Sequence, residues 1–133
     1  MADIFKVEII TPDRVFYTGE CDFLEFTTTA GEIGIYKNHI PTTTVLAPGA
    51  VIIHNNGEAK IAAVHAGFAE ILNEKVTLLA EVAEWPEEID VHRAEAAKQR
   101  AEERLAEKAE GTDLKRAEIA LRKALIRIDV AER

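Results

Sequence analysis

Residues 78–94 read LLAEVAEWPEEIDVHRA, and the chain changes from one kind of structure to another within this stretch. All eight aromatic side chains lie at or before Trp85, together with six of the seven glycines. The residues from Pro86 onward carry ten alanines and one glycine, Gly111. Aromatic residues favour strands, whereas alanine favours helix. The break therefore predicts two domains, residues 1–85 and residues 86–133.

The first domain consists of short strand-like runs separated by turn residues. Residues 50–54 and 59–64 flank Asn55-Asn56-Gly57-Glu58, and Asn-Gly between two apolar runs is typical of a tight hairpin. Residues 67–72 and 75–80 flank Asn73-Glu74 and predict a second hairpin. At this spacing the domain holds about ten short strands. We expect an all-β antiparallel sandwich or a flattened barrel.

The second domain has the pattern of an antiparallel two-helix hairpin. Proline followed by two acids suits a helix start, so the first helix is predicted at about 87–109, with a break at Glu110-Gly111. Thr112 or Asp113 can cap a second helix at about 113–131. A connection this short makes the two helices fold back on each other.

Each helix has one side on which alanines alternate with a few larger aliphatic residues. These sides comprise Val91, Ala94, Ala101, Leu105 and Ala109 on the first helix, and Leu114, Ala117, Leu121, Ala124, Leu125 and Ile128 on the second. About six large aliphatic side chains support the pair, at roughly 1.5–3 kcal/mol each when fully buried. That hardly offsets the conformational entropy lost on ordering the segment. We expect a marginal hairpin that docks on another surface.

The second helix carries a further apolar stripe, formed by Ile119, Ile126 and Val130 among basic residues. A surface helix needs one apolar face, and this helix has two. One interpretation is that the stripe packs on the β domain. The other is that the helix has two alternative partners, one of them acidic.

Composition and charge exclude several classes of protein. The net charge is −8, with twelve acids and five bases before Pro86 and twelve acids and eleven bases from it onward. An acidic β domain argues against binding to nucleic acid or to anionic membranes. The single cysteine, Cys21, forms no internal disulfide, and the first residues lack the bases and apolar run of a signal peptide. With no run long enough to span a bilayer, we expect a soluble intracellular protein.

The sequence shows little sign of the patterns that catalysis requires. Serine is absent, the four histidines lack metal-ligand spacing, and no lysine or helix follows Gly31-Glu32-Ile33-Gly34 as a phosphate loop requires. We therefore expect no catalytic residue and no metal site. His54 and His65 lie near each other across the predicted hairpin, and we interpret both as solvent-exposed strand residues.

One polar cluster stands at the head of the first helix. Asp90 and Arg93 are three residues apart, and Arg100 lies two turns further along the same face. The simplest interpretation is an ion pair between Asp90 and Arg93 plus a solvated arginine.

Four motifs, in order along the whole chain, resemble the epsilon subunit of bacterial F-type rotary ATP synthases. They are Gly31-Glu32-Ile33-Gly34-Ile35 with His39-Ile40-Pro41, Gly67-Phe68-Ala69-Glu70-Ile71 with Lys75 to Glu81, Ile89-Asp90-Val91-His92-Arg93-Ala94, and Arg116-Ala117-Glu118-Ile119-Ala120-Leu121. The sequence departs from the family pattern where Tyr36-Lys37 replaces Leu-Pro and where Ala66 replaces a second glycine.

The resemblance implies a non-catalytic central-stalk (rotor) subunit on the cytoplasmic face of the bacterial membrane, without direct membrane insertion. The β domain would bind the gamma subunit and rest on the ring of c subunits, so that it couples the ring to the catalytic head. The helical domain would fold against the β domain or extend toward the alpha and beta subunits, where it inhibits ATP hydrolysis. The basic residues implied in that inhibitory contact are Lys115, Arg116, Arg122, Lys123 and Arg127.

In some members of the family ATP binds the folded helical domain as a regulatory ligand, and no other cofactor is implied. The matching positions here are Glu84, Asp90, Arg93, Arg100, Lys123 and Arg127. Lys123 stands where the family has an arginine, so it retains the charge but loses the bidentate fork. The main alternative to the rotor subunit is thus an ATP-sensing binding module. A β-sandwich binding module on its own would leave the helices unexplained, and an enzyme is disfavoured by the missing chemistry.

Overall fold

The computed structural model describes residues 3–108, 111 and 113–133. Eight strands come first, followed by a 3₁₀ turn at Pro86–Glu88 and two helices, α1 (Val91–Glu107) and α2 (Leu114–Glu132). We call the strands together the β body, and α1 and α2 together the helical arm. The strands are β1 (Phe5–Thr11), β2 (Arg14–Cys21), β3 (Phe23–Thr28), β4 (Gly31–Ile35), β5 (Thr42–Leu46), β6 (Gly49–Asn55), β7 (Glu58–Ile71) and β8 (Lys75–Glu84).

The strands form one hydrogen-bonded sheet that folds over itself into a sandwich. Its order is β2-β1-β8-β7-β5-β3-β4, and β6 closes the other side by pairing with both β3 and β7. The first half of β7 pairs with β6, and its second half pairs with β5. A single apolar core, built on Val7, Ile9, Leu24, Phe26 and Leu78, fills the space between the layers.

The predicted sandwich and helical hairpin are confirmed, but the strand count and the pairing differ from the prediction. The structure has eight strands instead of about ten, because residues 58–71 form one long strand that bends at Ala66 (φ 55°) and Gly67 (φ 124°). The sheet is not wholly antiparallel, since β1 and β8 pair in parallel, Val7 opposite Val76. These two strands lie far apart in sequence, so local turn signals give no information about their relative direction.

Both predicted hairpins are present. Asn55 pairs with Glu58, which leaves Asn56 (φ 55°) and Gly57 (φ 82°) as a two-residue turn between β6 and β7. Positive φ at both central positions is the geometry that Asn-Gly favours. The second hairpin joins β7 to β8, and the N–H of Leu72 donates to the carbonyl of Lys75.

The junction between the β body and the arm is anchored on the β body. The Trp85 ring stacks on Phe16, with centroids 4.4 Å apart, and meets Tyr17 edge-on. At the end of the 3₁₀ turn, the Glu88 carboxylate accepts hydrogen bonds from the Trp85 N–H (2.9 Å) and from the Arg14 guanidinium (2.8 Å). The segment from Trp85 to Glu88 is therefore tied to β2, and the change of direction into the arm comes after it.

The first helix begins at Val91 instead of about 87, because Asp90 is its N-cap and the preceding residues form the 3₁₀ turn. The α-helix ends at Glu107, and Lys108 takes a left-handed conformation (φ 47°). The predicted end at Ala109, the break at Glu110 and the cap at Thr112 lie outside the described residues. Asp113 caps α2, as its carboxylate accepts from the Arg116 N–H at 3.0 Å.

The helices meet along the predicted alanine seam. Ala94, Ala101, Ala117 and Ala124 are buried, whereas Leu114 and Leu125 of the same predicted sides are more than a third exposed. The second stripe packs on the β body for two of its three residues. Val130 is fully buried with Ala63 and Ile89, and Ile126 packs against that cluster, while Ile119 is exposed. In this structure α2 is therefore docked on the β body, as the first of the two interpretations predicts.

Candidate functional site

A cavity of about 350 Å³ lies where the end of β8, the 3₁₀ turn and the two helices meet. It is lined by both acidic and basic side chains and by two alanines of α1. The lining residues are Glu84, Glu88, Asp90, Arg93, Ala94, Ala97, Arg100 and Arg127. Five of the six residues singled out for nucleotide binding thus line one cavity. Lys123, the sixth, is not among the lining residues.

Glu84 and Arg127 connect the β body to α2 at the wall of this cavity. The Arg127 Nε donates to Glu84 Oε1 at 2.6 Å, and both side chains are largely screened from solvent. An ionised donor and acceptor at this distance form a strong hydrogen bond. The two residues are 43 positions apart, so the cavity exists in this form only when α2 is docked.

Asp90 is the N-cap of α1 and does not form the predicted ion pair with Arg93. Its carboxylate accepts from the backbone N–H of Arg93 at 3.1 Å and thereby caps α1. No ion pair joins the side chains of Asp90 and Arg93, both of which the structure describes. The side chains of Arg93 and Arg100 line the cavity without an ion-pair partner among the described residues. Two guanidinium groups on one face of a helix suit a phosphate or another anion.

Glu88 is a cavity residue that the motif comparison did not include. Its hydrogen bonds with the Trp85 N–H and with Arg14 hold the pKa of its carboxyl below the ordinary value. The backbone hydrogen bond from Trp85 has the larger effect on this pKa, and it is also the bond that closes the 3₁₀ turn. One sequence signal could have predicted this contact: Glu88 is an acid three residues after Trp85, which is the spacing of a capping box.

His65 lies beneath α2 and is not solvent-exposed as predicted. Its side chain is 1% exposed, and it pairs with Val82 on β8 instead of lying across the β6–β7 hairpin from His54. Burial, assisted by the charges of Arg127 and Lys123, lowers the pKa of His65 to about 3. His54, by contrast, is partly exposed and its Nε2 lies 2.6 Å from Glu25.

The residues singled out for an inhibitory contact fall into two groups. Lys115, Arg116 and Arg122 are exposed on α2. Lys123 and Arg127 are half-buried against the β body, where both charges act on His65. The docked arm therefore presents three of the five basic side chains to solvent.

The β body exposes an apolar row that crosses five strands in register. Val45 on β5 lies opposite Phe68 on β7, Phe68 lies opposite Leu79 on β8, and Leu79 lies opposite Ile10 on β1. Ile10 in turn pairs with Val15 on β2. Four of the five side chains are more than 40% exposed, and Ile10 is half-buried. A contiguous exposed row of this kind marks an interaction surface.

A second exposed apolar group lies at the tip of the β body. Tyr36 and Ile40 (77% exposed) belong to the loop after β4, and Leu72 belongs to the β7–β8 turn. The N–H of Asn38 donates to the carbonyl of Asn73 at 2.8 Å and joins the two loops.

Two family models match the chain end to end. The first, the β-sandwich domain of the ATP synthase delta/epsilon chain, matches residues 4–86, and the second, the long α-helix domain of the same chain, matches residues 87–132. The β-sandwich followed by the helical hairpin therefore places the chain in the class of ATP synthase delta/epsilon chains.

The chain belongs to the epsilon-chain family of F-type ATP synthases and is a component of that complex. It is 46% identical to the epsilon chain of Caldanaerobacter subterraneus subsp. tengcongensis, over 100% of this chain and 97% of the relative. It is also 46% identical to the epsilon chain of Halalkalibacterium halodurans, over 96% of each.

The fold likewise matches a chain in the cryo-EM structure of the mitochondrial ATP synthase of Euglena gracilis, which contains F1 and the c-ring. The TM-score is 0.80 at 22% identity, and the match covers 97% of this chain and 81% of the other. No described helix of this chain is both long and apolar enough to cross a membrane.

Proposed function

We propose that this epsilon subunit is a non-catalytic part of the central stalk that couples the catalytic head to the c-subunit ring and restrains ATP hydrolysis through its helical arm. It would work at the cytoplasmic face of the bacterial cell membrane as a peripheral part of the complex. The observation that carries the proposal is the weak attachment of the arm to a β body that has its own core and its own exposed apolar surfaces.

The apolar row across β5, β7, β8, β1 and β2 supports a permanent contact with the gamma subunit. Phe68, 55% exposed, lies in the row between Val45 and Leu79. A long partner packed across the strands would bury all of them together. Phe68 is the one aromatic side chain of the row, and aromatic side chains often dominate the binding energy at interfaces.

The tip of the β body supports a contact with the c ring. Tyr36, Ile40 and Leu72 are apolar, exposed and held on two loops that a backbone hydrogen bond joins. Because the tip and the apolar row involve different residues, one β body can contact both partners at once.

The contact between α2 and the β body is too small to hold the arm permanently. In the described part of the chain, Val130 and Ile89 are the only large apolar side chains that are buried in the cluster beneath α2. At roughly 1.5–3 kcal/mol each, their burial stabilises the docked state by only a few kcal/mol. Release of α2 would expose Lys123 and Arg127 beside Lys115, Arg116 and Arg122. The resulting basic helix suits acidic segments of the catalytic subunits.

The test is to remove the arm from Asp90 onward and reconstitute the complex. The cut leaves Trp85 and Glu88 in their contacts with β2. We expect the shortened chain to bind gamma and to lose its restraint on ATP hydrolysis. If the complex with the shortened chain hydrolyses ATP as slowly as the complete complex, the inhibitory role is wrong. A thermal unfolding transition of the shortened chain must first show that the β body is folded.

A second candidate function, an ATP-sensing module, is supported by the cavity between the two helices and the β body. Arg93 and Arg100 supply positive charge for phosphates, and the Glu84–Arg127 pair completes the cavity lining only in the docked state. A ligand at 100 times its dissociation constant stabilises the state it binds by about 2.7 kcal/mol. That is comparable with the docking contact itself. Titration calorimetry with ATP tests this function. We expect a heat of binding, and its absence at millimolar ATP would reject the sensor.

A further inference from the structure

His65 on β7 is a polar side chain buried inside the molecule. It is 1% exposed, and neither Nδ1 nor Nε2 forms a hydrogen bond with any described residue. Buried polar atoms are almost always paired, so an unpaired imidazole needs an explanation. Ile61 and Ala63 point to the same side of β7, and that side is covered by α2. The arm is thus the cover over His65.

Three charged groups face the imidazole. Glu84, on β8, places Oε1 3.6 Å from His65 Nε2, which is too far for a hydrogen bond. That carboxylate already accepts from Arg127 Nε at 2.6 Å. Arg127 and Lys123, both on α2, contribute positive charge at the ring. A protonated His65 would therefore lie beside two cations. The nearby Glu84 carboxylate could not fully compensate, because it already accepts a hydrogen bond from Arg127.

We propose that His65 is a proton-operated release for the helical arm: the arm docks over neutral His65, and protonation of the ring favours the undocked arm. In the undocked state Lys123 and Arg127 leave with α2, the ring meets water, and Glu84 becomes available as its partner. The inference rests on the mobile arm of the proposed function, and it is independent of whether the released arm inhibits hydrolysis.

The sign and size of the effect follow from linkage between protonation and docking. An exposed histidine has a pKa of about 6.5, whereas burial under the arm lowers the pKa of His65 to about 3. Docking is therefore strongest above about pH 6.5 and weakens as the pH falls below it, by up to about tenfold per pH unit until the docked pKa is reached. Between pH 7.5 and 5.5 we expect the docking constant to fall by about tenfold.

Thiol labelling of the full-length chain measures the release. Ala63 is fully buried beneath α2, so a cysteine placed there by Ala63→Cys reacts only when the arm undocks. The exposed site of Glu118→Cys supplies the reference rate at each pH, which removes the pH dependence of the reagent and the thiolate. The native Cys21, fully buried in the core of the β body, reports global unfolding in the same experiment.

We expect the labelling rate at position 63, divided by the reference rate, to rise about tenfold from pH 7.5 to 5.5. His65→Asn should abolish the rise, and His54→Asn, a change at a partly exposed histidine, should leave it intact. A ratio that does not change with pH, or a rise that persists in His65→Asn, overturns the inference. If position 63 labels no faster than Cys21 at any pH, the arm does not move locally, and the proposed mobile arm itself is wrong.

Discussion

Arg127 Nε in α2 lies 2.6 Å from Glu84 Oε1 at the end of β8, and this is the one ion pair between the helices and the strands among the described residues. The same carboxylate lies 3.6 Å from His65 and at the wall of the cavity. One acid therefore connects arm docking, the buried histidine and the candidate nucleotide site. Its position at the last residue of β8 places it directly before the junction.

Replacing Glu84 by glutamine should weaken docking of the arm. The substitution removes a charged hydrogen bond with Arg127, worth about 1.5–3 kcal/mol at a largely buried site. We expect the normalised labelling rate of a cysteine at position 63 to rise by at least tenfold at pH 7.5. Glu81→Gln, at an exposed site on the same strand, is the matched control. Equal rates in the two variants would show that the ion pair does not hold the arm.

Gly67→Ala should destabilise the β body. Gly67 has φ 124°, and a Cβ at this position would collide with the carbonyl oxygen of Leu79 on the neighbouring strand. We expect a loss of about 2–4 kcal/mol in the free energy of unfolding, measured with urea. Gly57→Ala is the control, since its φ is also positive but its Cβ site is open, so the loss there should be about 1 kcal/mol.

Phe68→Glu should weaken binding of the gamma subunit without unfolding the chain. The side chain is exposed, so the stability of the β body changes little, but a carboxylate would be buried within the proposed interface. We expect the affinity for gamma, measured on immobilised gamma subunit, to fall at least 30-fold, which corresponds to about 2 kcal/mol. Gln99→Glu introduces the same charge at an exposed site of α1, outside the β body. A fall of similar size in this variant would mean that charge alone is responsible.

Arg100→Ala should weaken ATP binding, if ATP occupies the cavity. Loss of one guanidinium partner of a phosphate removes about 1.5–3 kcal/mol, or at least tenfold in affinity by calorimetry. Arg104→Ala, one turn further along α1 and outside the cavity, should bind ATP as the unchanged chain does. Equal weakening in both variants would indicate a general effect of net charge.

Much of the candidate site could be predicted because its residues lie in recognisable motifs. Asp90, Arg93 and Arg100 follow one another on α1, and the motif resemblance added Glu84 and Arg127, which the cavity brings together. Glu88 was missed, because its place in the wall depends on the contact with Arg14 on β2. The prediction of Lys123 rested on the family resemblance alone, and this residue is not part of the cavity lining.

Local sequence alone predicted the change from strand to helix after Trp85 and the two hairpin turns, and it limited the cap of α2 to Thr112 or Asp113, because each of these features depends on residues adjacent in the chain. Tertiary structure decided what depends on distant residues. β1 pairs in parallel with β8, β7 continues through its bend as a single strand, and His65 is covered by a helix from the other end of the chain. On an isolated strand His65 would face water. Its burial results from the docking of α2, and no local pattern around residue 65 contains that information.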